Sequence, residues 1–198
     1  MSSEIKANTI SEVTSANGVS IDGVKLKDNS VIIGDGGNIG SASDLDAISI
    51  SSAGYVIDSA RPHFVVDGNQ GQSTAVGNGS RVPFNDEVRN HGGNFDTSNY
   101  FFLTPVAGVY LFHVQLYTYH SGTQRYDFRI YSHDTSDSNG VVLSRAQQSW
   151  DGGKLITMSA LSYLTANRRI SIYNETGDSR DLYMDNLNHS FFTGCLIG

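Results

Sequence analysis

A strict alternation of side chains runs through residues 109–119 and is the clearest structural signal in the chain. Because successive side chains of a strand point to opposite faces, this stretch predicts a β-strand with two distinct faces. One face is wholly apolar and predicts contact with a core: Tyr110, Phe112, Val114 and Leu116. The other face is apolar at its start and mixed further on: Val109, Leu111, His113, Gln115, Tyr117 and Tyr119. Its first two residues indicate either contact with another subunit or scattered surface aliphatics, which are normal in proteins.

Alternation and β-type composition predict further strands along the chain, bounded by turn residues: 100–104, 123–132, 141–150, 155–164 and 169–173. Several intervening segments are rich in residues that enter turns at low cost and are predicted to be loops: 71–80, 84–94, 134–140 and the polar stretch around 178–181. No long run shows apolar residues at the three- and four-residue spacing of a helix. The chain is therefore predicted to be all-β.

Residues 1–58 differ in character from the rest of the chain. They contain no aromatic residue before Tyr55, and their short apolar pairs, such as Ile48 with Ile50, are separated by turn residues. Such a segment cannot bury enough apolar surface alone to offset the entropy of ordering it. It is either a flexible linker or a shaft that folds when several copies associate, and its regular apolar spacing favours association. We therefore divide the chain into a shaft segment, 1–58, and a folded domain, 59–198.

Composition and charge narrow the range of partners. Charged residues make up 17 % of the 198 residues, and the net charge of −7 comes without any basic stripe, so binding to nucleic acid is not expected. No apolar stretch is long enough to span a bilayer, and residues 1–10 lack the basic and apolar regions of a signal peptide. We therefore expect neither membrane insertion nor ordinary secretion. The single cysteine, Cys195, is predicted to be a buried structural thiol.

No group of residues in the sequence indicates catalysis or a cofactor. The carboxylate pairs Asp44/Asp46 and Asp178/Asp181 are interpreted as solvated, although a glycoside hydrolase would need two carboxylates held across a cleft. The histidines show no zinc-binding spacing, and no phosphate-binding glycine loop is present. We predict that the protein is not an enzyme and requires no cofactor.

Two sets of residues are candidate binding sites. Asp134, Asp137 and Asn139 offer oxygen ligands in one loop, but their spacing differs from the calcium-loop pattern, so a solvated turn is the simpler interpretation. Four aromatic residues near strand ends either stack on the sugars of a receptor or pack between sheets and subunits: Tyr117, Tyr119, Tyr126 and Trp150.

The stretch from Phe84 to Phe112 resembles the signature of the C1q-like domain of the C1q/tumour-necrosis-factor superfamily. The residues that carry the resemblance are Asn90, Gly92, Phe95-Asp96, Phe102, Pro105 and Gly108-x-Tyr110-x-Phe112. Weaker matches lie in the expected order at residues 62–66 and 190–198, although Asn167 and Cys195 depart from the family pattern. The resemblance implies a jelly-roll-like sandwich that forms a homotrimer. The two-faced central strand then predicts the trimer-interface residues: Val109, Leu111, His113 and Gln115.

The N-terminal stretch resembles segments of fibre and appendage proteins of tailed bacteriophages, at residues 9–28 (TISEVTSANGVSIDGVKLKD) and more loosely at 37–54. This resemblance implies that residues 1–58 attach to other virion proteins and form a shaft, and that the head at 59–198 contacts host-surface glycans or proteins. The expected location is a virion surface appendage, synthesised in the host cytoplasm. Two alternatives stay open. One is a polysaccharide-degrading tailspike-type enzyme, and the other is a cellular C1q-like adhesion protein, which would be expected to carry a signal peptide and collagen repeats.

Overall fold

The computed structural model of the chain describes residues 38–41, 43–58, 60–185 and 189–198. These residues form strands and connecting turns, and none of the described segments is a helix long and apolar enough to cross a membrane. The short apolar pairs predicted between residues 19 and 33 lie outside the described residues.

The strands, in chain order, are β1 (Asn38–Ser41), β2 (Asp44–Ile50), β3 (Val56–Ile57), β4 (His63–Asp67), β5 (Gly71–Val76), β6 (Asp86–His91), β7 (Phe95–Asp96), β8 (Phe101–Leu103), β9 (Gly108–Tyr117), β10 (Thr123–His133), β11 (Val141–Asp151), β12 (Leu155–Leu164), β13 (Arg169–Asn174), β14 (Arg180–Met184) and β15 (Phe191–Leu196). Each predicted strand between residues 62 and 197 is present, including the first and last ones implied by the family resemblance, with bounds that shift by no more than a few residues.

Two five-stranded sheets make up the main body of the described structure. Sheet I has the strand order β12-β9-β15-β4-β6, and sheet II has the order β11-β10-β13-β8-β7. The strands β5 and β14 form a two-stranded ribbon, and β1, β2 and β3 form a separate three-stranded sheet. The pairings are antiparallel, and several join strands far apart in the sequence, as where β15 pairs with both β4 and β9. This arrangement confirms the predicted all-β sandwich.

The core lies between the two sheets and is built from the inward positions of their strands. The apolar face predicted for β9 is buried completely, since its four members are 0 % exposed: Tyr110, Phe112, Val114 and Leu116. Sheet II contributes inward residues that are at most 1 % exposed: Phe128, Ile130, Ile170 and Ile172. Burying side chains of this size contributes about 1.5–3 kcal/mol each, so the alternation of these strands provides most of the driving force for the sandwich.

A cluster of aromatic rings joins the two sheets at Phe64. The Phe64 ring lies 4.8 Å from the ring of Phe102 and 4.9 Å from that of Phe192, measured between centroids. Gly194 lies beside this cluster on the central strand β15. A Cβ atom there would stand 2.5 Å from the Phe112 ring and 2.7 Å from the Phe64 ring, so glycine is required for the rings to approach the strand.

Three segments predicted to be loops contain strands. The strand β5 lies within residues 71–80, β6 lies within 84–94, and β14 covers residues 180–184. Both β5 and β14 belong to a two-stranded ribbon, and β6 is the edge of sheet I. β5 and β6 carry little apolar alternation, because a ribbon or edge strand is held largely by backbone pairing with its neighbour. β14 does alternate and buries Leu182 and Met184. The loop predictions for these segments are therefore wrong.

The small sheet of β1, β2 and β3 leaves its aliphatic side chains exposed to solvent. Ile39 is 48 % exposed, Ile48 is 38 % exposed and Val56 is 70 % exposed. A sheet of three short strands has no second layer of its own to cover these groups.

Candidate functional site

The outer face of sheet I carries an apolar patch at one end. Register places Leu161 of β12 directly opposite Leu111 of β9, and Tyr163 opposite Val109. Ile197 extends the row, since its backbone N–H donates to the Val109 carbonyl over 2.8 Å. These five residues are called the apolar patch below. Val109 is half-buried and the other four are exposed, with Leu161 65 % and Tyr163 67 % exposed. Contiguous exposed apolar surface of this kind marks an interaction site.

A polar band crosses the same face next to the apolar patch. The Nδ1 atom of His113 lies 2.9 Å from the Ser159 hydroxyl, and the Thr193 hydroxyl donates to the Phe64 carbonyl over 2.8 Å. Gln115 donates from its side-chain amide to the His189 carbonyl over 3.3 Å. The polar side chains of this band thus have partners within the chain, which leaves them compatible with burial against another surface.

The far end of the face is aromatic. The ring of Tyr183 lies 5.0 Å from that of Tyr117 and 5.3 Å from that of Tyr119, both edge to face. His189 packs on the same group and places its Nδ1 atom 2.8 Å from Asp185. Sequence reasoning missed Tyr183 because β14 was predicted to be a loop, although an aromatic residue alternating with Leu182 and Met184 was the available signal.

Charged side chains are missing from the outward positions of three neighbouring strands in this face. The outward residues of β9, β12 and β15 include no Asp, Glu, Lys or Arg, although such residues make up 17 % of the chain. Depletion of charge at the centre of a patch is the compositional sign of a protein–protein interface. The face therefore has the chemistry of a contact surface rather than of a catalytic site.

The predicted interface residues lie together on this face. Val109 and Leu111 belong to the apolar patch, and His113 and Gln115 belong to the polar band. The structure therefore brings these four residues into one surface and adds Leu161 and Tyr163, which come from β12. Their contact with other subunits stays a prediction.

The four aromatic residues predicted to bind a receptor do not form one site. Tyr117 and Tyr119 lie at the aromatic end of the sheet I face, whereas Tyr126 is an inward residue of β10 that is only 1 % exposed. Trp150 stacks on Tyr126 with ring centroids 5.0 Å apart. The prediction for Tyr126 is wrong, because its position between the sheets makes it a core residue.

In the candidate calcium loop, neighbouring side chains already form hydrogen bonds and ion pairs with the carboxylates. Asp134 accepts hydrogen bonds from the Ser136 hydroxyl over 2.7 Å and the Asn139 amide over 2.7 Å, and these bonds lower its pKa below the usual range. Asp137 pairs with the guanidinium groups of Arg81 and Arg169. Within the described part of the chain no three His, Cys, Asp or Glu residues are grouped to hold a metal ion. Asp134, Asp137 and Asn139 therefore do not fit a calcium site, because the carboxylate oxygens of Asp134 and Asp137 already have donors and the Asn139 amide is one of them.

Sheet II has an outer face of a different kind, centred on Asp127. This carboxylate is 1 % exposed and accepts paired hydrogen bonds from Arg129 at 3.0 and 3.0 Å and from Arg145 at 2.9 and 2.6 Å. Burial alone would raise the pKa of Asp127, but the two arginines lower it to about 2. The residue is therefore ionised at neutral pH and holds two guanidinium groups in a fixed geometry.

Comparisons with known proteins identify a matching family model and solved structures with a similar fold. A family model described as the C1q domain matches residues 64–197. Among solved structures, the Eiger TNF from S. frugiperda is similar with a TM-score of 0.59 and 16% identity, over 70% of this chain and 94% of that chain. The globular domain of zebrafish complement 1qA protein is similar with a TM-score of 0.54 and 22% identity, over 69% of this chain and 98% of that chain. A comparison with curated protein sequences gives no match. The two structural matches establish the C1q/TNF-like jelly-roll fold.

Proposed function

The chain belongs to the C1q domain family. We propose that it is a non-enzymatic binding protein, and that it assembles as a homotrimer through the outer face of sheet I. The observation that carries this proposal is the charge-free apolar patch, with Leu161 at 65 % and Leu111 at 41 % exposure. Apolar area of this kind gains about 25 cal/mol per Å² when it leaves water.

A closed ring of three copies suits the layout of this face. In a ring, each copy presents one surface to its neighbour and a different surface to the other neighbour. The sheet I face offers two such surfaces side by side, the apolar patch at one end and the polar and aromatic zones at the other. Trimerisation through sheet I leaves the outer face of sheet II open for ligands.

The trimer is tested by the variant Leu161→Asp, with Val142→Asp as the matched control. Val142 lies on sheet II and is 42 % exposed, so the control makes the same kind of change on the other side of the sandwich. We expect Leu161→Asp to reduce the native mass to that of one copy, because an unpaired carboxylate would be buried in the interface. Val142→Asp should keep the trimer mass in sedimentation or light scattering.

Two results would contradict the trimer. One is a wild-type protein that sediments as a single copy at micromolar concentration. The other is a Leu161→Asp variant that retains both the native mass and the thermal midpoint of the wild type, since Leu161 would then lie outside any interface.

We further propose that the chain is a fibre or spike subunit of a phage-type virion, with residues 1–58 bound to other virion proteins and the head directed at the host surface. Two observations support this proposal. Residues 9–28 resemble phage appendage segments, and the described sheet of β1, β2 and β3 leaves Ile39 and Val56 exposed, as expected if copies associate there. Three heads on one shaft would multiply weak contacts with host-surface glycans through effective concentration.

A cellular C1q-like binding protein is the second candidate, since the family match at residues 64–197 is equally compatible with it. Antibodies raised against residues 59–198 distinguish the two by electron microscopy. Labelling of virion appendages supports the phage-type role, and labelling of uninfected cells supports the cellular one. A loss of polysaccharide chain length on incubation with the pure protein would instead favour the tailspike-type enzyme.

A further inference from the structure

A row of arginine and tyrosine side chains crosses the outer face of sheet II. Arg129 of β10 lies opposite Arg145 of β11 on one side and opposite Tyr173 of β13 on the other. Arg81 continues the row, because it forms an isolated bridge with Tyr173. These four residues, called the arginine row below, lie one strand spacing apart, so the row extends roughly 14 Å across the sheet.

The arginine row is held in place by Asp127 rather than by the backbone alone. Like charges directly opposite each other on neighbouring strands are unfavourable, and Asp127 offsets this by bonding both Arg129 and Arg145. Arg125 adds a third guanidinium, with its Nη2 atom 3.6 Å from the same carboxylate. The side chains of Arg125 and Arg145 remain 51% and 42% exposed, so each keeps N–H groups directed at solvent.

Aromatic rings organise the Arg81 end of the row. The Arg81 guanidinium carbon lies 5.6 Å from the Tyr173 ring centroid and 5.3 Å from that of Phe101. Arg169 stands 4.7 Å from the Phe101 centroid and 3.0 Å from Asp137, which also pairs with Arg81. These contacts fix the guanidinium groups of Arg81 and Arg169, whose side chains are 15% and 26% exposed.

A cleft opens where the row ends at Arg81. It has a volume of about 390 Å³, and its lining includes polar groups and two tyrosines: Ser80, Arg81, Asn99, Tyr100, Asp137 and Tyr173. Tyr100 and Asp137 adopt positive φ of 60° and 58°. Such backbone conformations are uncommon for residues other than glycine and concentrate at functional sites. The cleft offers hydroxyl and amide groups beside the half-buried rings of Tyr100 and Tyr173, which is the chemistry that recognises sugars.

The charge around Asp127 opposes that of the whole chain. Three arginines, Arg125, Arg129 and Arg145, surround this one carboxylate, whereas the chain as a whole carries −7. The positive side chains on these strands are arginines, whose planar guanidinium groups match carboxylate and sulfate oxygens in pairs. The part of the face on β10 and β11 therefore has a positive surplus in a form suited to an anionic ligand.

We propose that the outer face of sheet II binds an acidic polysaccharide, whose carboxylate or sulfate groups contact the arginine row and whose sugar rings enter the cleft at Tyr100. The proposal deepens the binding role proposed above, on which it rests, by naming the receptor class and its site. The site uses no residue of the sheet I face through which the trimer is proposed to form. It would therefore stay accessible on each copy.

The geometry favours a glycan over an acidic peptide. An extended peptide binds a sheet by adding backbone hydrogen bonds along a free edge. The arginine row instead runs across the strands on a face where the backbone groups are already paired within the sheet. A ligand on this face must be recognised through its own projecting groups, and acidic sugars carry such groups together with rings that stack on tyrosine.

The test is calorimetric titration of the full chain with four probes. Hexameric oligogalacturonate supplies carboxylates, sulfated dextran supplies sulfates, maltohexaose is the neutral control and poly-L-glutamate is the acidic peptide. We expect binding to one or both acidic glycans, weakening as NaCl is raised, and no binding to maltohexaose. The stronger of the two glycans identifies the acidic group. Equal binding to maltohexaose, or equal or tighter binding to poly-L-glutamate, overturns the proposal.

Variants locate the site on sheet II. Arg145→Gln should weaken binding about tenfold, because a charge-assisted hydrogen bond is lost. Arg125→Gln should also weaken it, and since this side chain makes only the 3.6 Å contact, both paired bonds to Asp127 survive and folding is retained. The matched control is Arg61→Gln, which removes the same charge from a 45% exposed side chain outside the row. If Arg61→Gln weakens binding as much as Arg145→Gln and Arg125→Gln do, the site is not the arginine row.

Native mass separates this inference from the proposed trimer. A trimer that binds none of the acidic probes overturns the polysaccharide site and leaves the assembly intact. A single copy that binds acidic glycan through Arg145 supports the site and contradicts the trimer.

Discussion

The two sheets of the sandwich follow the same alternation but present opposite chemistry to solvent. On sheet I, Leu111 is 41 % exposed as a residue, and on sheet II the side chain of Arg145 is exposed to a nearly equal 42%. Aliphatic surface gains free energy when it is removed from water. A guanidinium group loses hydration on burial unless an opposite charge replaces it. Equal exposure therefore predicts different partners: another protein surface for sheet I and an anionic ligand for sheet II.

The two sheets also differ in how they hold a buried carboxyl group: the one on sheet II is paired with arginines, and the one on sheet I is not. Asp127 of sheet II is 1 % exposed, and Asp67 of sheet I is 2 % exposed. Asp127 is bonded by two arginines, whereas the Oδ1 atom of Asp67 has no hydrogen-bond partner. Burial raises the pKa of Asp67, and the neighbouring carboxylates of Asp86 and Asp185 raise it further.

This contrast shows which face the single copy needs in order to fold. The outer face of sheet II is an ion network that stabilises its own strands. The outer face of sheet I makes a few neutral hydrogen bonds and leaves its aliphatic groups in water, so it would contribute to stability only in the proposed trimer.

The largest effect is expected from Asp127→Ala, which leaves three guanidinium groups close together without their carboxylate. Removing one partner of a buried ion pair costs about 3–5 kcal/mol of unfolding free energy. The matched change on sheet I, Ser159→Ala, removes the hydrogen bond to His113 and should cost less than about 1 kcal/mol. Urea unfolding at one protein concentration measures both. Similar costs for the two variants would show that the faces do not differ in this way.

Lowering the pH should give the next largest change in unfolding free energy. The folded pKa of Asp127 is about 2, which is below the unfolded value of about 3.9. Its stabilisation is therefore complete above pH about 4 and is lost as the pH falls through the folded pKa, amounting to about 2 kcal/mol. Unfolding free energies measured between pH 2 and 6 check this. Asp127→Asn should flatten the acidic limb, and a variant with the same slope as the wild type would exclude Asp127 as its cause.

The smallest change in stability is expected from Asp67→Asn. Unlike the preceding changes, it should stabilise the protein. Because the pKa of Asp67 is raised, its stabilising contribution is complete below the unfolded pKa and is lost as the pH rises through the folded pKa. The neutral amide avoids this cost and can donate to nearby carboxylates. The variant should have a higher thermal midpoint than the wild type at pH 7 and a gain that disappears near pH 4. Asp67→Ala is the control, and a lower midpoint for Asp67→Asn at pH 7 would contradict the assignment.

The sequence predicted the strands that bury one apolar face and missed those that do not. Alternation located β9, β10 and β12 to within a few residues, and the family resemblance located β15. It did not reveal β6, which lies at the edge of sheet I, because the polar sequence of that strand is held by pairing with β4. Tyr126 was assigned to a receptor surface although it alternates with Phe128 and Ile130, so that error lay in weighing aromatic chemistry above periodicity.

The candidate sites were predictable only in part, for a related reason. The second face of β9 indicated Leu111 as an association residue, but nothing in the sequence paired it with Leu161, fifty positions later. In the same way, Arg125, Asp127 and Arg129 stand at alternate positions of one predicted strand, and only register shows that Arg145 completes the group.

The amino-acid sequence by itself determined which side chains of each strand share a face, because that depends on the two-residue repeat of a strand and on nothing further away. The tertiary structure alone decided which strands are neighbours and in what register. Both depend on how two whole sheets pack around one core, and a slip of a single residue would exchange the faces. The apolar patch of sheet I and the arginine row of sheet II exist only at that level, as products of pairing between distant strands.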